Sequence, residues 1–349
     1  MRFGLALPHY DFSLPGERPI TVSRVVEFAR EAERLGYDSV WISDHFFLSL
    51  ERYGGPPDRQ GSLEPMTTLA ALAVSTSRVR IGTLIACAPF RHPSILAKMS
   101  AALSLYSGGR FELGVGAGWY EDEFQAFGVP FGTVGERFAV LEETLEVVRA
   151  LLRSPEEPAT FEGERFELHD ALLRPHPGEV PIWLGAKGGP RSLRLAARLA
   201  DGWNTVWRWT PEAYAGRVQA LRRVYSDVDR NPATMRLSLG LSTLIGRDER
   251  DLKERYERFR AFPGPAGSFA WKQGGALRDV PLEEFAKDTL TGTPSQVRER
   301  IALYEDLGVE EMIVNPGPTP FAFPDPEIVQ VFAEEIISPS RSPSPTTAS

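Results

Sequence analysis

The chain has 349 residues, 42% of them hydrophobic and 25% charged, with 39 basic against 47 acidic side chains for a net charge of −8. That is enough apolar material for a sizeable core, and the length admits either two domains or one large barrel. With an acidic balance and no basic stretch, nothing in the sequence points to nucleic acid or an anionic membrane as partner, and the charge speaks for solubility.

The N-terminal run MRFGLALPHYDF is short and stopped by Pro8, unlike a secretory leader, and no apolar run approaches the roughly 18 residues of a membrane span. It reads as a first strand, Phe3–Pro8. Seven more short apolar runs bounded by Gly, Pro or Asp follow at Ser39–Ile42, Val79–Ile85, Phe111–Val115, Pro181–Leu184, Gly202–Thr205, Arg236–Ile245 and Glu311–Val314. Between them, apolar residues at three-four spacing predict helices over Thr21–Leu35, Met66–Ser75, Pro93–Leu105, Gly135–Leu152, Pro190–Leu199, Pro211–Tyr225, Asp248–Phe262 and Pro294–Leu307, and a last one over Pro326–Ile337. Pro93, Pro190, Pro211 and Pro294 stand where a first helical turn accepts proline, and Gly36 stops the first helix. Eight strand–helix alternations predict a closed (β/α)8 TIM barrel rather than a doubly wound open sheet.

A barrel needs about 250 residues, so the surplus is inserted. One insertion, Ser154–Glu179, carries an expected hairpin at Thr160–Leu168 around Glu162-Gly163. A second, Pro263–Pro281, is rich in Gly and Pro, with Phe269 and Trp271, and reads as a cover or a disordered loop. Residues 1–337 form the expected single domain; the Ser/Pro-rich tail Ser338–Ser349 is expected to be disordered. The single cysteine, Cys87, excludes an intramolecular disulfide, which suits a cytoplasmic protein.

In such a barrel ligands bind at the C-terminal ends of the strands. The residues there are aromatic, glycine-rich and include His9 and His45, which suits a flat aromatic cofactor with an anionic tail. The turn Lys187-Gly188-Gly189-Pro190-Arg191 has the phosphate logic: glycines admit an anion close to the backbone, a helix begins at Pro190, and Lys187 and Arg191 add charge. The alternative is a tight turn with solvated basic residues. Gly114-Val115-Gly116-Ala117-Gly118-Trp119 fails the dinucleotide pattern at Trp119; its glycines either relieve crowding at the rim or open room for a ring. Asp44-His45 is the most chemical pair, since a rim histidine exchanges protons near neutral pH, although Asp44 is equally suited to capping the next segment. His9 is a second candidate. Cys87 reads as a small buried residue that lines a pocket, Arg137 as a residue that reaches an anion or simply pairs with a carboxylate, and Trp183, Trp203, Trp207 and Trp209 as packing. Five histidines without H-x-H or H-E-x-x-H spacing give no metal site.

Three segments then carry a resemblance. Leu35-Gly36-Tyr37-Asp38-Ser39-Val40-Trp41-Ile42-Ser43-Asp44-His45, the run Ser107 to Trp119, and Leu195 to Asn204, with Thr291-Gly292-Thr293-Pro294 near the C-terminus, resemble the luciferase-like monooxygenase superfamily. The run Gly114 to Phe124 and Gly82-Thr83-Leu84-Ile85-Ala86-Cys87 are most similar to its coenzyme F420-dependent oxidoreductase branch. The resemblance implies a bulged third strand at Gly82, Thr83, Leu84 and Ile85, with a non-prolyl cis peptide at Leu84–Ile85 behind the cofactor ring. It also implies a ring flanked by Gly116, Ala117, Gly118, Trp119 and Cys87, a polar pair Asp44 and His45 at the reactive edge with His9 in reserve, and a cofactor phosphate at Lys187, Gly188, Gly189 and Arg191. In it Asp44 orients or tunes His45. Sugar-phosphate dehydrogenases of the branch carry glutamate where Trp119 stands, so a proton donor is expected to be missing here. The implied activity is hydride transfer between F420 and a small organic substrate, partly apolar by the rim residues Phe46, Phe47, Phe90 and Trp207. The alternatives are an FMN-dependent monooxygenase fed by a separate flavin or F420 reductase, and a non-catalytic flavin-binding protein. A homodimer is the assembly implied.

Overall fold

The computed structural model describes residues 1–154, 156–263 and 277–341. Among these, eight parallel strands close into a barrel: β1 (Arg2–Ala6), β2 (Ser39–Ile42), β3 (Arg80–Thr83), β4 (Phe111–Gly116), β5 (Ile182–Gly185), β6 (Gly202–Trp207), β7 (Arg236–Ile245) and β8 (Glu311–Asn315). Each pairs with the next, and β8 returns to β1 with Leu5 opposite Val314. All eight expected strands are present, each shifted by at most a few residues. A short strand Ala86–Cys87 adds to β4 beyond the bulge, where Leu84–Ile85 is a cis peptide; Val206–Trp207 at the end of β6 is a second non-prolyl cis bond.

The strand alternation sorts the core into two bodies. Leu5, Val40, Ile42 and Ile81 point outward and belong to the large cluster between wall and helices. Ala6, Trp41, Trp183 and Ile313 point inward and join Tyr10, Leu84, Tyr120, Trp207 and Phe321 in a second cluster filling the lumen and mouth. At the N-terminal end of the barrel the filling is ionic. Arg80 pairs with Glu112 and, at 2.9 Å, with Glu311; Ser39 donates to Glu311, Trp41 Nε1 to Ser39 Oγ at 2.7 Å, and Trp183 Nε1 to Glu112 at 2.7 Å.

The helices are α1 (Val22–Leu35), α2 (Pro65–Ser75), α3 (Pro93–Ser107), α4 (Glu121–Ala126), α5 (Val134–Arg153), α6 (Pro190–Leu199), α7 (Pro211–Asp227), α8 (Glu249–Arg260), α9 (Leu282–Ala286), α10 (Pro294–Asp306) and α11 (Glu327–Phe332). The four prolines do open α3, α6, α7 and α10. Thr21 caps α1 by accepting from Arg24 N–H, and Gly36 ends it in the left-handed region at φ 90°. The insertion hairpin is present as Ala159–Glu162 paired with Glu167–Ala171. A second hairpin, Phe47–Ser49 with Arg59–Gly61, was not expected, and neither were α4 and α9, whose six and five residues are too short to show a period. Two expectations shift at the C-terminus. The final helix changes to a π-turn over Ala333–Ile337, and Ser338–Arg341, placed in the disordered tail by composition, is a helical turn continuing it. Residues 342–349 and most of the second insertion, Phe269 and Trp271 included, lie outside the described residues. No described helix is long and apolar enough to cross a membrane.

Candidate functional site

The loops leaving β1 to β6 meet at the C-terminal mouth. Here the structure separates the expected residues into those a ligand can reach and those it cannot. His45, Phe46, Ile85, Ala117 and Gly118 are half-buried, and Trp119 is 40% exposed. His9, Asp44, Gly82, Thr83 and Cys87 are buried.

His45 is held by a residue that the sequence reading passed over. Its Nδ1 lies 2.7 Å from Oε1 of Glu123 on α4, while Oε2 of the same carboxylate accepts from Phe46 N–H at 2.9 Å. A carboxylate only accepts, so Nδ1 carries a proton, and in the neutral ring Nε2 is then the nitrogen that accepts. Nε2 has no hydrogen-bond partner among the described residues. The Trp119 ring stands edge-on to the imidazole at 5.6 Å, with Tyr120 at 6.5 Å. Trp119 does occupy the position after the strand-four glycines, but one turn into α4 Glu123 swings back to His45. The signal was the acidic run Glu121-Asp122-Glu123, unreadable without the turn that aims one of the three inward.

Asp44 does not touch His45. Its carboxylate accepts from Cys87 N–H at 2.8 Å and from both terminal nitrogens of Arg91, the Nη2 contact at 3.1 Å; Arg91 also reaches Glu64 at 2.6 Å. Adjacent residues on an extended segment point to opposite sides, and the chain does not fold back enough to bring them together. The expected orienting role thus falls to Glu123 by position, while Asp44 ties the bulge after β3 to the rim of β2.

His9 is also committed. Nδ1 donates to Leu7 C=O at 2.9 Å, and Nε2 accepts from Ser43 N–H at 3.2 Å and meets Ser43 Oγ at 2.9 Å, with Tyr10 OH a further 2.5 Å away. Burial pushes its pKa down to about 3. The folded state therefore keeps His9 neutral while the unfolded chain protonates it below about 6.5. Its contribution to stability is complete above about pH 6.5 and is lost as pH falls from there towards about 3. Urea unfolding at pH 7, 6 and 5 should show stability falling by up to about 1.4 kcal/mol per unit from this source. His9→Gln should flatten that slope; identical slopes in both proteins would remove the assignment.

The bulge is packed from behind. A Cβ on Gly114 would lie 2.2 Å from Thr83 O, and Cβ atoms on Gly116 and Gly185 would lie 3.3 and 2.3 Å from the Ile85 side chain. These glycines make room for the bulge itself, chiefly for Ile85. A Cβ on Gly82 would strike the Trp41 ring at 2.3 Å, so Gly82 is a lumen-packing residue, and Thr83 Oγ1 bridges to Gly114 N and O within the wall. Gly118, at φ 76°, leaves space for Phe124 and the Cys87 sulfur. Burial raises the Cys87 thiol pKa, which disfavours the thiolate.

The turn after β5 leaves backbone donors open. Gly188 is in the left-handed region at φ 76°, and Gly189 is the N-cap of α6 and brings no capping side chain, so the first-turn N–H groups lack a side-chain acceptor. The flanking cations are turned elsewhere: Lys187 donates to Val206 C=O, and Arg191 donates to Gly135 C=O at 3.0 Å and lies 3.8 Å from Glu142. Asn204 Oδ1 and Ser242 Oγ, buried on β6 and β7, have no hydrogen-bond partner among the described residues. Among the same residues no cluster of three or more His, Cys, Asp or Glu could hold a metal.

The luciferase-like monooxygenase family profile matches residues 1–311. The chain belongs to that family. Among its relatives is an F420-dependent glucose-6-phosphate dehydrogenase of Amycolatopsis mediterranei (strain U-32), 30% identical over 84% of this chain and 88% of that protein. Another is a phthiodiolone/phenolphthiodiolone dimycocerosates ketoreductase of Mycobacterium tuberculosis (strain ATCC 25618 / H37Rv), 29% identical over 91% of this chain and 92% of that one. The barrel of this luciferase-like chain also superimposes on an F420-dependent secondary alcohol dehydrogenase solved with an F420-acetone adduct. The TM-score is 0.76 at 22% identity, covering 97% and 98% of the two chains.

Proposed function

We propose that this luciferase-like barrel is an F420-dependent oxidoreductase in which residues 1–337 act as one catalytic domain and His45 exchanges the proton that accompanies hydride transfer to or from a substrate. The observation that carries the reading is the His45–Glu123 pair, which leaves Nε2 open beside a half-buried shelf of Ile85, Ala117 and Gly118. The residues fit the cofactor: an uncapped helix N-terminus for its phosphate, a shelf for its ring, and buried polar atoms on Asn204 and Ser242 for a polar edge. The relatives named above support the choice of F420 over FMN.

Bound F420 supplies the hydride donor or acceptor. The chain does the rest. The α6 N-terminus and Gly188 would hold the phosphate, and Ile85, seated by Gly114, Gly116 and Gly185, would back the ring. His45 Nε2 takes the proton of an alcohol oxygen or returns it to a carbonyl oxygen, and Glu123 fixes the tautomer that makes this possible. The substrate is an uncharged carbonyl or alcohol with an apolar body. Phe46 stacks on Phe127 at 4.0 Å and meets Phe90 at 4.6 Å, and these rings with Trp119 wall the approach to His45. The same reading includes a cytoplasmic homodimer and a separate reductase that restores the cofactor.

Calorimetric titration of the purified chain with F420 and with FMN at fixed salt tests this. Tight F420 and weak FMN binding are expected. Tight FMN binding without F420 binding would replace the proposal with the FMN-dependent monooxygenase, to be followed by oxygen uptake coupled to product.

A further inference from the structure

A groove of about 410 Å³ runs between α6 and α7, outside the barrel. Its upper end is lined by Gly188 and Pro190, the turn assigned above to the phosphate; from there it descends past Leu193, Arg217, Ala220 and Arg223 to Asp227. On α7 the positions 217, 220, 224 and 227 repeat at three-four spacing and lie on one face, and the small Ala220 opens the floor between the two arginines. The Arg217 stem crosses Gly188: a Cβ there would lie 3.2 Å from Arg217 Cδ. No ion pair or hydrogen bond holds Arg217 or Arg223 among the described residues, and both are exposed. Arg34, Arg198, Arg247 and Arg258, also exposed, each sit on a carboxylate. Arg18 and Arg194 are exposed without a carboxylate among the described residues as well; what sets Arg217 and Arg223 apart is that they line the groove leading from the phosphate turn. Arg217 and Arg223 both line the groove, their backbone positions about 9 Å apart along the axis of α7 at about 1.5 Å rise per residue. The acidic group lining it is Asp227, at the far end.

We propose that this groove is a second anion site which receives the carboxylate-bearing tail of the cofactor, with Arg217 taking the first carboxylate beyond the phosphate and Arg223 a later one. The inference rests on the F420 reading. F420 continues past its phosphodiester into a chain of glutamates, whereas FMN stops at its phosphate, so the groove discriminates between the two at a distance from the ring. Because both arginines are exposed, the pairing is electrostatic and screened by salt.

The test is calorimetry of the full chain, wild type and Arg217→Glu/Arg223→Glu, with F420 and with the deazaflavin riboside, which lacks phosphate and tail. Both substitutions are on exposed helix positions, and circular dichroism checks the fold. The double variant is expected to bind F420 roughly five- to tenfold more weakly at about 50 mM salt, to lose that deficit at about 0.5 M salt, and to bind the riboside as wild type does. Equal F420 affinity in the two proteins would overturn the groove and leave the F420 reading standing. Equal weakening for the riboside would also overturn it, by placing the effect at the ring. Absence of F420 binding to the wild type would remove the F420 reading and the groove with it.

Discussion

His45→Gln is expected to lower kcat by roughly two to four orders of magnitude while the dissociation constant for F420 stays within about twofold of wild type. The reason is geometric. Nε2 is the one nitrogen of the imidazole left open, and Glu123 Oε1, 2.7 Å from Nδ1, selects the neutral tautomer in which Nε2 accepts. Glu123→Gln probes the same point from behind. The Glu123 carboxylate satisfies two donors at once, His45 Nδ1–H and Phe46 N–H. A glutamine has one oxygen and one NH2 group, so it serves one donor and opposes the other. If the oxygen stays on Phe46, the NH2 faces Nδ1 and drives the ring to the tautomer that carries its proton on Nε2, the wrong one for accepting from an alcohol. Glu123→Gln should therefore cut kcat roughly a hundredfold or more with little change in KM, and should alter the pH profile of kcat, which a merely structural role would leave in place. Should His45→Gln turn over normally while His9→Gln is inactive, the roles assigned to the two histidines would have to be exchanged.

Removing Arg80 is expected to have the largest effect on stability. Its guanidinium neutralises Glu112 and Glu311 in the base of the barrel, where both acids are buried, and burial raises the pKa of Glu311 in spite of Arg80. Arg80→Ala leaves two like charges facing each other out of water, with Arg2 at 3.9 Å from Glu311 as the remaining cation. Breaking a buried pair in this way costs about 3–5 kcal/mol. Urea unfolding at pH 7 should show the loss. A loss below about 1 kcal/mol would mean that the network is replaceable by the surrounding tryptophans. The triple replacement Arg80→Met, Glu112→Leu, Glu311→Met should recover part of the stability, because it removes the stranded charge but leaves Trp183 Nε1–H and the Ser39 hydroxyl without their carboxylate acceptors.

The sequence by itself determined the architecture. Short apolar runs bounded by Gly, Pro or Asp, three-four apolar spacing, prolines at four first turns and glycine stops are local, so eight strands and nine of the eleven helices could be placed, and eight alternations leave closure as the way to pair both edge strands. The resemblance added the bulge after β3 and its cis bond, which the structure has at Leu84–Ile85. What the sequence could not decide is which side chains meet. Asp44 and His45 are neighbours in the chain and part company at the rim, Asp44 to Arg91 and His45 to Glu123, 78 positions away. Gly114 and Gly116, read either as relief of crowding at the rim or as room for a ring, face Ile85. Lys187 and Arg191, placed beside a phosphate by spacing, are drawn off by Val206 and Gly135, while Arg217, on the following helix, comes to lie over Gly188. Spacing along the chain fixes the period of an element. The direction of a side chain at a loop is set by whichever partner the closed barrel brings within hydrogen-bonding distance, and that is a property of the tertiary structure alone.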